Sequence, residues 1–264
     1  MKLKDKVALI TGAGRGIGRS IAHAFAEEGA DVVLAARSRD QLEHVASEIR
    51  SKKRNALAVT CDVSSAEAVK KLKQEIQKAY NCLDILVNNA GISRRSKFLE
   101  YDDEIWLEVI RVNLFGVYLC SKTFLPLMRQ AGAGRIINMA STAGKSPVPY
   151  NTAYGASKHG VLGLTKSLAS EMALDGYPGI TINAICPFFV ETEMFRGPQG
   201  YLAQISKMAG VSAKEVEEKV VGRSLQKRVL APDEIAAMAV YLASDAARGI
   251  TGQAFNICGG RIFH

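Results

Sequence analysis

The feature that most constrains this chain is a repeated alternation. Short runs rich in Val and Ile are each followed by a turn and then by apolar residues at helical spacing. Strands are expected at Val7–Thr11, Asp31–Ala36, Ala56–Thr60, Ile85–Asn88, 135–140, 180–185 and Ala254–Ile257. Several of these runs are apolar throughout, which suits strands covered on both faces. Helical patterns occupy 17–28, 66–80 and 154–173. Ser64 with Glu67 has capping-box spacing, and Pro232 with Asp233 and Glu234 reads as a first helical turn. Such alternation predicts an α/β fold: one doubly wound sheet of about seven parallel strands with helices on both faces. No linker, repeat or low-complexity tract divides the chain, so residues 1–264 are expected to form a single domain. The stretch between Pro187 and Ala231 is irregular, and a lid is expected at about 188–230.

Composition excludes several classes. Apolar residues make up 48% and charged residues 23%, an ordinary globular balance. No apolar run approaches the ~20 residues of a membrane span, and the apolar stretch near the N-terminus is too short for a signal peptide. The net charge of +8 invites an anionic partner, but the basic runs at 50–54 and 70–78 sit on expected helix surfaces among acidic residues. No nucleic-acid stripe and no membrane partner are expected. The five cysteines (Cys61, Cys82, Cys120, Cys186 and Cys258) are scattered, which fits reduced thiols in a cytoplasmic protein. They make no ligand spacing with His23, His44, His159 or His264, so no metal is expected.

Thr11-Gly12-Ala13-Gly14-Arg15-Gly16-Ile17-Gly18 joins the first strand to the first helix. Glycines there permit a tight turn and let backbone approach a pyrophosphate, which the helix N-terminus attracts. Further along, Tyr154 and Lys158 stand at i and i+4 on one helix face. A fixed ammonium beside a phenol is expected to lower its pKa from ~10 toward neutrality, as acid–base catalysis at physiological pH requires. Ser141 follows the fifth expected strand, where a hydroxyl can bond a substrate oxygen or simply cap a turn. Asn113 lies in the apolar pattern Val112-Asn113-Leu114-Phe115 and must be hydrogen-bonded if buried. His159, about 100° further round the helix than Lys158, is given no role.

These motifs, with Asp62-Val63, Asn88-Asn89-Ala90-Gly91, Pro187 and Thr192 in order, resemble the short-chain dehydrogenase/reductase family over residues 4 to 260. The resemblance implies a Rossmann-type fold and a catalytic set of Asn113, Ser141, Tyr154 and Lys158. Tyr154 exchanges the oxygen-bound proton, Ser141 polarises that oxygen, and Lys158 tunes Tyr154 and bonds the nicotinamide ribose. Asn113 holds a water linking Lys158 to solvent. The implied cofactor contacts are Gly12, Arg15, Gly16, Ile17, Gly18, Arg37, Asp62, Val63, Asn89, Tyr154, Lys158, Pro187, Val190 and Thr192, with Asp62 on the adenine amino group. Relatives that use NAD carry an acidic residue near the end of the second strand. Here Ala36 fills that slot with Arg37 next to it. Arg37 and Arg15 suit a 2′-phosphate, so NADP(H) is expected over NAD(H).

The implied activity is reduction of a ketone to a secondary alcohol. A β-ketoacyl thioester or bulky apolar ketone is favoured, since Ala254-Phe255-Asn256-Ile257-Cys258-Gly259-Gly260 and Glu104-Ile105-Trp106-Leu107 are similar to aromatic-polyketide ketoreductases and 3-oxoacyl-thioester reductases. Two other readings stand beside it: an NAD-dependent dehydrogenase of secondary alcohols or 3-hydroxyacids, and a non-catalytic dinucleotide sensor. Phe188 stands where most relatives have glycine, beside the expected nicotinamide site, and Met194, Phe195 and Tyr201 extend an apolar wall. Arg94 and Arg95 offer cations for a pantetheine phosphate or a substrate carboxylate. Pro178 replaces a basic residue of carrier-docking relatives, so a small-molecule or CoA-linked substrate is expected rather than an acyl carrier protein. The stretch from Gly160 to Ala169 is apolar on more than one helical face, which suggests subunit packing into a homotetramer.

Overall fold

The computed structural model describes residues 1–80 and 82–264. Its strands are β1 (Val7–Thr11), β2 (Asp31–Ala36), β3 (Ala56–Thr60), β4 (Ile85–Asn88), β5 (Gly134–Met139), β6 (Ile180–Pro187) and β7 (Ala254–Ile257). They form one seven-stranded sheet in the order β3-β2-β1-β4-β5-β6-β7, with every pairing parallel. The helices are α1 (Gly16–Glu27), α2 (Arg39–Ser51), α3 (Ala66–Ala79), α4 (Asp103–Ile110), α5 (Gly116–Ala131), α6 (Thr152–Leu174), α7 (Glu193–Arg196), α8 (Tyr201–Ala209), α9 (Ala213–Val221) and α10 (Pro232–Ala243). The doubly wound sheet expected from the alternation is present.

Alternate residues of each central strand feed opposite cores. Ala8 and Ile10 of β1, with Val32 and Leu34 of β2, pack against Ile21 and Phe25 of α1, Leu42 and Val45 of α2, and Ile235 of α10. Leu9, Val33 and Leu86 point the other way, onto Leu72 and Ile76 of α3, Phe124 and Met128 of α5, and Met172 of α6. Burial on both faces explains the unbroken apolar runs. Strand β6 continues two residues past the expected end. Proline has no donor for a ladder, but Pro187 sits at the strand terminus, opposite Ile257, and only the β7 side is paired there.

Two local expectations are corrected. The N-cap of α3 is Ser65, whose Oγ accepts from the Ala68 N–H at 3.3 Å, so the Ser64–Glu67 capping box does not form. Ser64 is diverted: its hydroxyl and its backbone N–H both donate to Asp62 Oδ1, at 2.7 and 2.9 Å. The apolar surplus of 160–169 is also largely absorbed within the chain. Val161 and Leu162 join a small core with Val117, Ala184 and Cys186, while Gly163, Lys166 and Ser167 face solvent.

Between β6 and α10 the segment carrying α7, α8 and α9 builds a separate apolar cluster from Phe195, Leu202, Val216 and Val220. It stands over the C-terminal ends of the strands, where Val190 makes a parallel bridge to Leu230.

The turn from β1 into α1 has no spare volume. A Cβ on Gly18 would lie 2.2 Å from the Gly12 carbonyl oxygen, a backbone atom that cannot swing away. Gly18→Ala is therefore expected to lower stability by about 1–3 kcal/mol, the usual cost of overpacking. Urea unfolding of the two proteins measures it, and an unchanged midpoint would contradict the packing described.

Candidate active site

Strands β1 and β4 lie side by side, but the chain leaves them toward opposite parts of the sheet, and a crevice opens beyond their C-terminal ends. Thr11 and Asn89 fix its floor. The Thr11 hydroxyl donates to the Val87 carbonyl (3.3 Å) and accepts from the N–H groups of Asn89 (3.0 Å) and Ala90 (3.1 Å). The Asn89 amide donates in return to the carbonyls of Thr11 (2.9 Å) and Gly12 (3.2 Å). Gly12 has φ +66, and a Cβ there would meet Ala90 Cα and Asn89 Nδ2 at 2.9 Å. Only glycine combines that conformation with that closeness.

This loop delivers the N-terminus of α1 to the crevice. The N-cap is Arg15, with no side-chain cap to the first-turn N–H groups. Uncapped donors behind a glycine cradle fit the pyrophosphate of a dinucleotide. The crevice widens into a cleft of about 1040 Å³, whose wall includes Gly12, Arg15, Arg37, Asp62, Ser141, Tyr154, Lys158 and Thr192. Ile17, Val63, Asn89, Pro187 and Val190 line it too, whereas Gly18 and Asn113 do not. Gly18 acts by letting α1 pack on Gly12, and Asn113 stands behind the wall. A larger but shallow hollow of about 1150 Å³, over α1 and α10, contains none of Asn113, Ser141, Tyr154 or Lys158.

Tyr154 and Lys158 share one face of α6, and Ser141 follows β5, capping the turn that begins at Thr142. Lys158 is 4% exposed; its Nζ donates to the Met139 carbonyl at 2.6 Å and lies 5.5 Å from the centre of the Tyr154 ring. The expected acidified phenol does not appear in this arrangement. Burial raises the Tyr154 pKa above its usual value, while the Ser141 hydroxyl and the Arg95 guanidinium pull the other way. Burial also lowers the Lys158 ammonium to about 8. Both groups are thus biased toward their neutral forms, as desolvation requires.

Asn113 is fully buried in a widened, π-type turn at Arg111–Phe115 that joins α4 to α5. Its Oδ1 accepts from the Ile92 N–H (2.8 Å), and its Nδ2 donates to the Ile92 carbonyl (2.9 Å) and to Ser157 Oγ (3.2 Å). Both Nδ2 hydrogens and one Oδ1 lone pair hold the loop after β4 against α6, and the second Oδ1 lone pair stays open to a water. A Cβ on Gly91 would stand 3.3 Å from Asn113 Oδ1 and 3.8 Å from Lys158 Nζ, so the two side chains flank one glycine.

At the other end of the cleft the two arginines differ. Arg37 is exposed at the end of β2, whereas Arg15 is ion-paired with Glu193 of α7 across the cleft. Glu193 went unnoticed in the sequence because nothing local links it to residue 15. Arg95, expected from the sequence to offer a cation, lines the cleft. Its guanidinium lies 4.5 Å from the centre of the Tyr201 ring, and its buried Nε has no hydrogen-bond partner among the described residues. Phe188 lines the cleft, edge-on to Phe189 at 4.5 Å, and Phe189 packs on Tyr201 at 4.4 Å.

The Lys158 pKa has a testable sign. Its folded value, about 8, lies below the free value, so the charged form is penalised in the native state. That penalty is complete below pH 8 and disappears as pH rises beyond the free value. Lys158→Met is expected to melt above the parent protein at pH 6, with the gap closing toward pH 10. Scanning calorimetry across that range checks it; a gap that widens with pH would contradict the burial argument.

Comparison with known proteins is consistent with this arrangement. The family model for short chain dehydrogenase matches residues 6–199. A 3-oxoacyl-[acyl-carrier-protein] reductase of Staphylococcus aureus is 38% identical over 256 residues, 97% of each chain. The crystal structure of a tryptophan variant of actinorhodin polyketide ketoreductase with NADPH superposes with a TM-score of 0.91 at 40% identity, covering 97% of each chain. A Beutenbergia cavernae protein provisionally named NAD(P)-dependent gluconate 5-dehydrogenase, with NADP bound, gives a TM-score of 0.87 at 36% identity over 98% of each chain.

Proposed function

Because the chain belongs to the short-chain dehydrogenase family, we propose that it is an NADPH-dependent reductase of ketones. The observation that carries this reading is the single cleft with Ser141, Tyr154 and Lys158 on one wall and the glycine cradle with uncapped α1 at the other end. When bound there, reduced nicotinamide supplies the hydride that adds to the carbonyl carbon. Tyr154, held protonated by burial, donates its proton to the carbonyl oxygen. Ser141 bonds that oxygen and sets its position, and the Lys158 ammonium steadies the phenolate left behind. Asn113 acts by fixing the loop between Lys158 and solvent.

Choice of NADPH rests chiefly on Arg37. Ala36 offers no carboxylate to ribose hydroxyls, Arg37 is exposed beside it, and Arg15 has part of its charge offset by Glu193. Both solved relatives hold NADPH or NADP. Arg37→Ala is expected to cut the preference for NADPH over NADH by about tenfold or more, the worth of a charge-assisted hydrogen bond. Arg15→Ala should cut it less. Dissociation constants for both cofactors decide, and an unchanged ratio in Arg37→Ala would remove Arg37 from the phosphate site.

Segment 188–230 serves as the lid over the substrate end, in a single domain spanning 1–264. No helix among the described residues is long and apolar enough to cross a membrane. The substrate is a small-molecule or CoA-linked carbonyl compound, met in the cytoplasm. A homotetramer is supported by apolar groups left exposed on α4 and the start of α5: Ile105, Leu107, and Phe115 stacked 5.7 Å from Tyr118. Light scattering that gave a monomer at micromolar concentration would refute it.

The central test is Tyr154→Phe. Turnover of NADPH against a panel of β-ketoacyl thioesters, cyclic ketones, diketones and aldehydes should fall to background, while NADPH binding persists. Near-normal turnover would sink the mechanism.

A further inference from the structure

We infer that Arg95 is the receptor for a carboxylate carried by the substrate within a few bonds of its ketone, which makes oxo acids the substrate class. This rests on the ketone-reductase reading and narrows it. The first observation is the distribution of charge in the cleft. Its acidic lining residues are Asp62 and Glu193, and both are engaged, Asp62 by Ser64 and Glu193 by Arg15. The substrate end holds Arg94, Arg95, Arg223 and Arg261 without a carboxylate among them.

Adjacent arginines in sequence have unlike situations. Arg94 turns toward α4: its Nη1 donates to the Ser93 carbonyl at 3.2 Å and its Nε lies 3.9 Å from Glu108. Arg95 has no acidic partner among the described residues, and its Nε is sealed from solvent with no acceptor. With no carboxylate to neutralise it, the half-buried guanidinium gains most from an anion that reaches its two terminal nitrogens from the cleft. Arg95 lies with its guanidinium over the face of the Tyr201 ring, an arrangement that leaves the edge donors free for a planar, bidentate carboxylate.

The loop is also rigid. Ser96 N–H donates to the Tyr150 carbonyl (3.0 Å), Asn151 Nδ2 to Ser93 Oγ (2.8 Å), and the Tyr101 hydroxyl to the Arg94 carbonyl (2.7 Å), while Asn113 clamps Ile92. A guanidinium on so fixed a support is preorganised, and little entropy is lost on binding an anion.

Position selects the kind of anion. The loop of Arg95 is tied to the residues just ahead of α6 and Tyr154, through Ser96 N–H on the Tyr150 carbonyl and Asn151 Nδ2 on Ser93 Oγ, and both side chains line the cleft. A group bound to Arg95 is therefore close to the carbonyl that Tyr154 protonates. The phosphates of a CoA thioester lie a whole pantetheine arm from the ketone, too far for this residue. Exposed Arg223 is the better placed for such a group. Phe188, Phe189 and Tyr201 then enclose the carbon chain of the acid rather than a large polycyclic ketone.

The test uses the full chain with NADPH and pairs of substrates that differ only in charge: 3-oxo and 5-oxo acids against their methyl esters, with a 3-oxoacyl-CoA alongside. The parent protein should favour acid over ester by about 10- to 100-fold in kcat/KM, the worth of hydrogen bonds to a charged group. That ratio should collapse toward one in Arg95→Gln, chiefly through KM for the acid, and recover in part in Arg95→Lys. Arg94→Gln should keep the parent ratio. A second readout needs no turnover: calorimetric titration of the matching hydroxy acids into protein saturated with NADPH, a pair that cannot react, where Arg95→Gln should weaken binding about tenfold or more. Equal rates on acid and ester, or a CoA thioester preferred with no dependence on Arg95, would overturn the inference and leave ketone reduction standing. Hydroxy acids that bind through Arg95 with no ketone reduced would uphold the anion site and overturn the reductase reading. No ketone reduced and no hydroxy acid bound would overturn both.

Discussion

Reversal of strand order between β1 and β4 is the constraint on which everything else depends. A parallel sheet wound in both directions from these strands leaves their C-terminal ends uncovered, because successive connections depart to opposite sides. Such an opening would be a defect in a core. Here it is closed at its floor by hydrogen bonds between Thr11 on one strand and Asn89 after the other. That junction fixes the glycine turn, the turn aims α1, and the neighbouring ends of β5 and β6 bring Ser141 and Pro187 to the same level. The chemistry is assembled from strand ends, with α6 supplying Tyr154 and Lys158 from the side.

Electrostatically the cleft is a region where burial and function oppose each other. Lys158 and Arg95 are cations in low-dielectric surroundings, and neither has a carboxylate partner among the described residues. Lys158 is offset by the Met139 carbonyl and Arg95 by the face of Tyr201. The surface shows the contrary pattern. Arg19 and His23 share Glu48, and Arg196 bridges Glu191 and Glu217. The net charge of +8 is therefore less telling than where the unmatched part of it sits.

Segment 188–230 has its own packing logic. Phe189, Phe195 and Tyr201 interlock at ring separations of 4.4 to 6.1 Å, so the aromatic residues after β6 hold the helices of this segment to one another as well as lining the cleft. Phe188, next to them, contacts both this cluster and Arg261, whose guanidinium lies 6.0 Å from its ring. One aromatic group thus joins the segment to the C-terminal loop, and the substrate end of the cleft is shaped by contacts among residues far apart in the chain.

What the sequence determined by itself was the seven strands, four of the helices and the candidate groups at the strand ends. Strand spans and the helix starting at Pro232 were legible because burial on both faces demands continuous apolar runs, and proline suits a first helical turn. The glycine turn and the Tyr154–Lys158 pair were legible because their geometry is set within a few residues. Tertiary structure decided everything that needed two distant segments to meet. It took Ser64 from α3 to Asp62, committed Asn113 to Ile92, tied Arg15 to Glu193, and turned Arg94 outward while leaving Arg95 inside. The direction in which Tyr154 titrates belongs here as well, since desolvation depends on the whole shell of neighbours and spacing along one helix reports only Lys158. Local spacing fixes which groups can act, and packing fixes the field and the partners they act in.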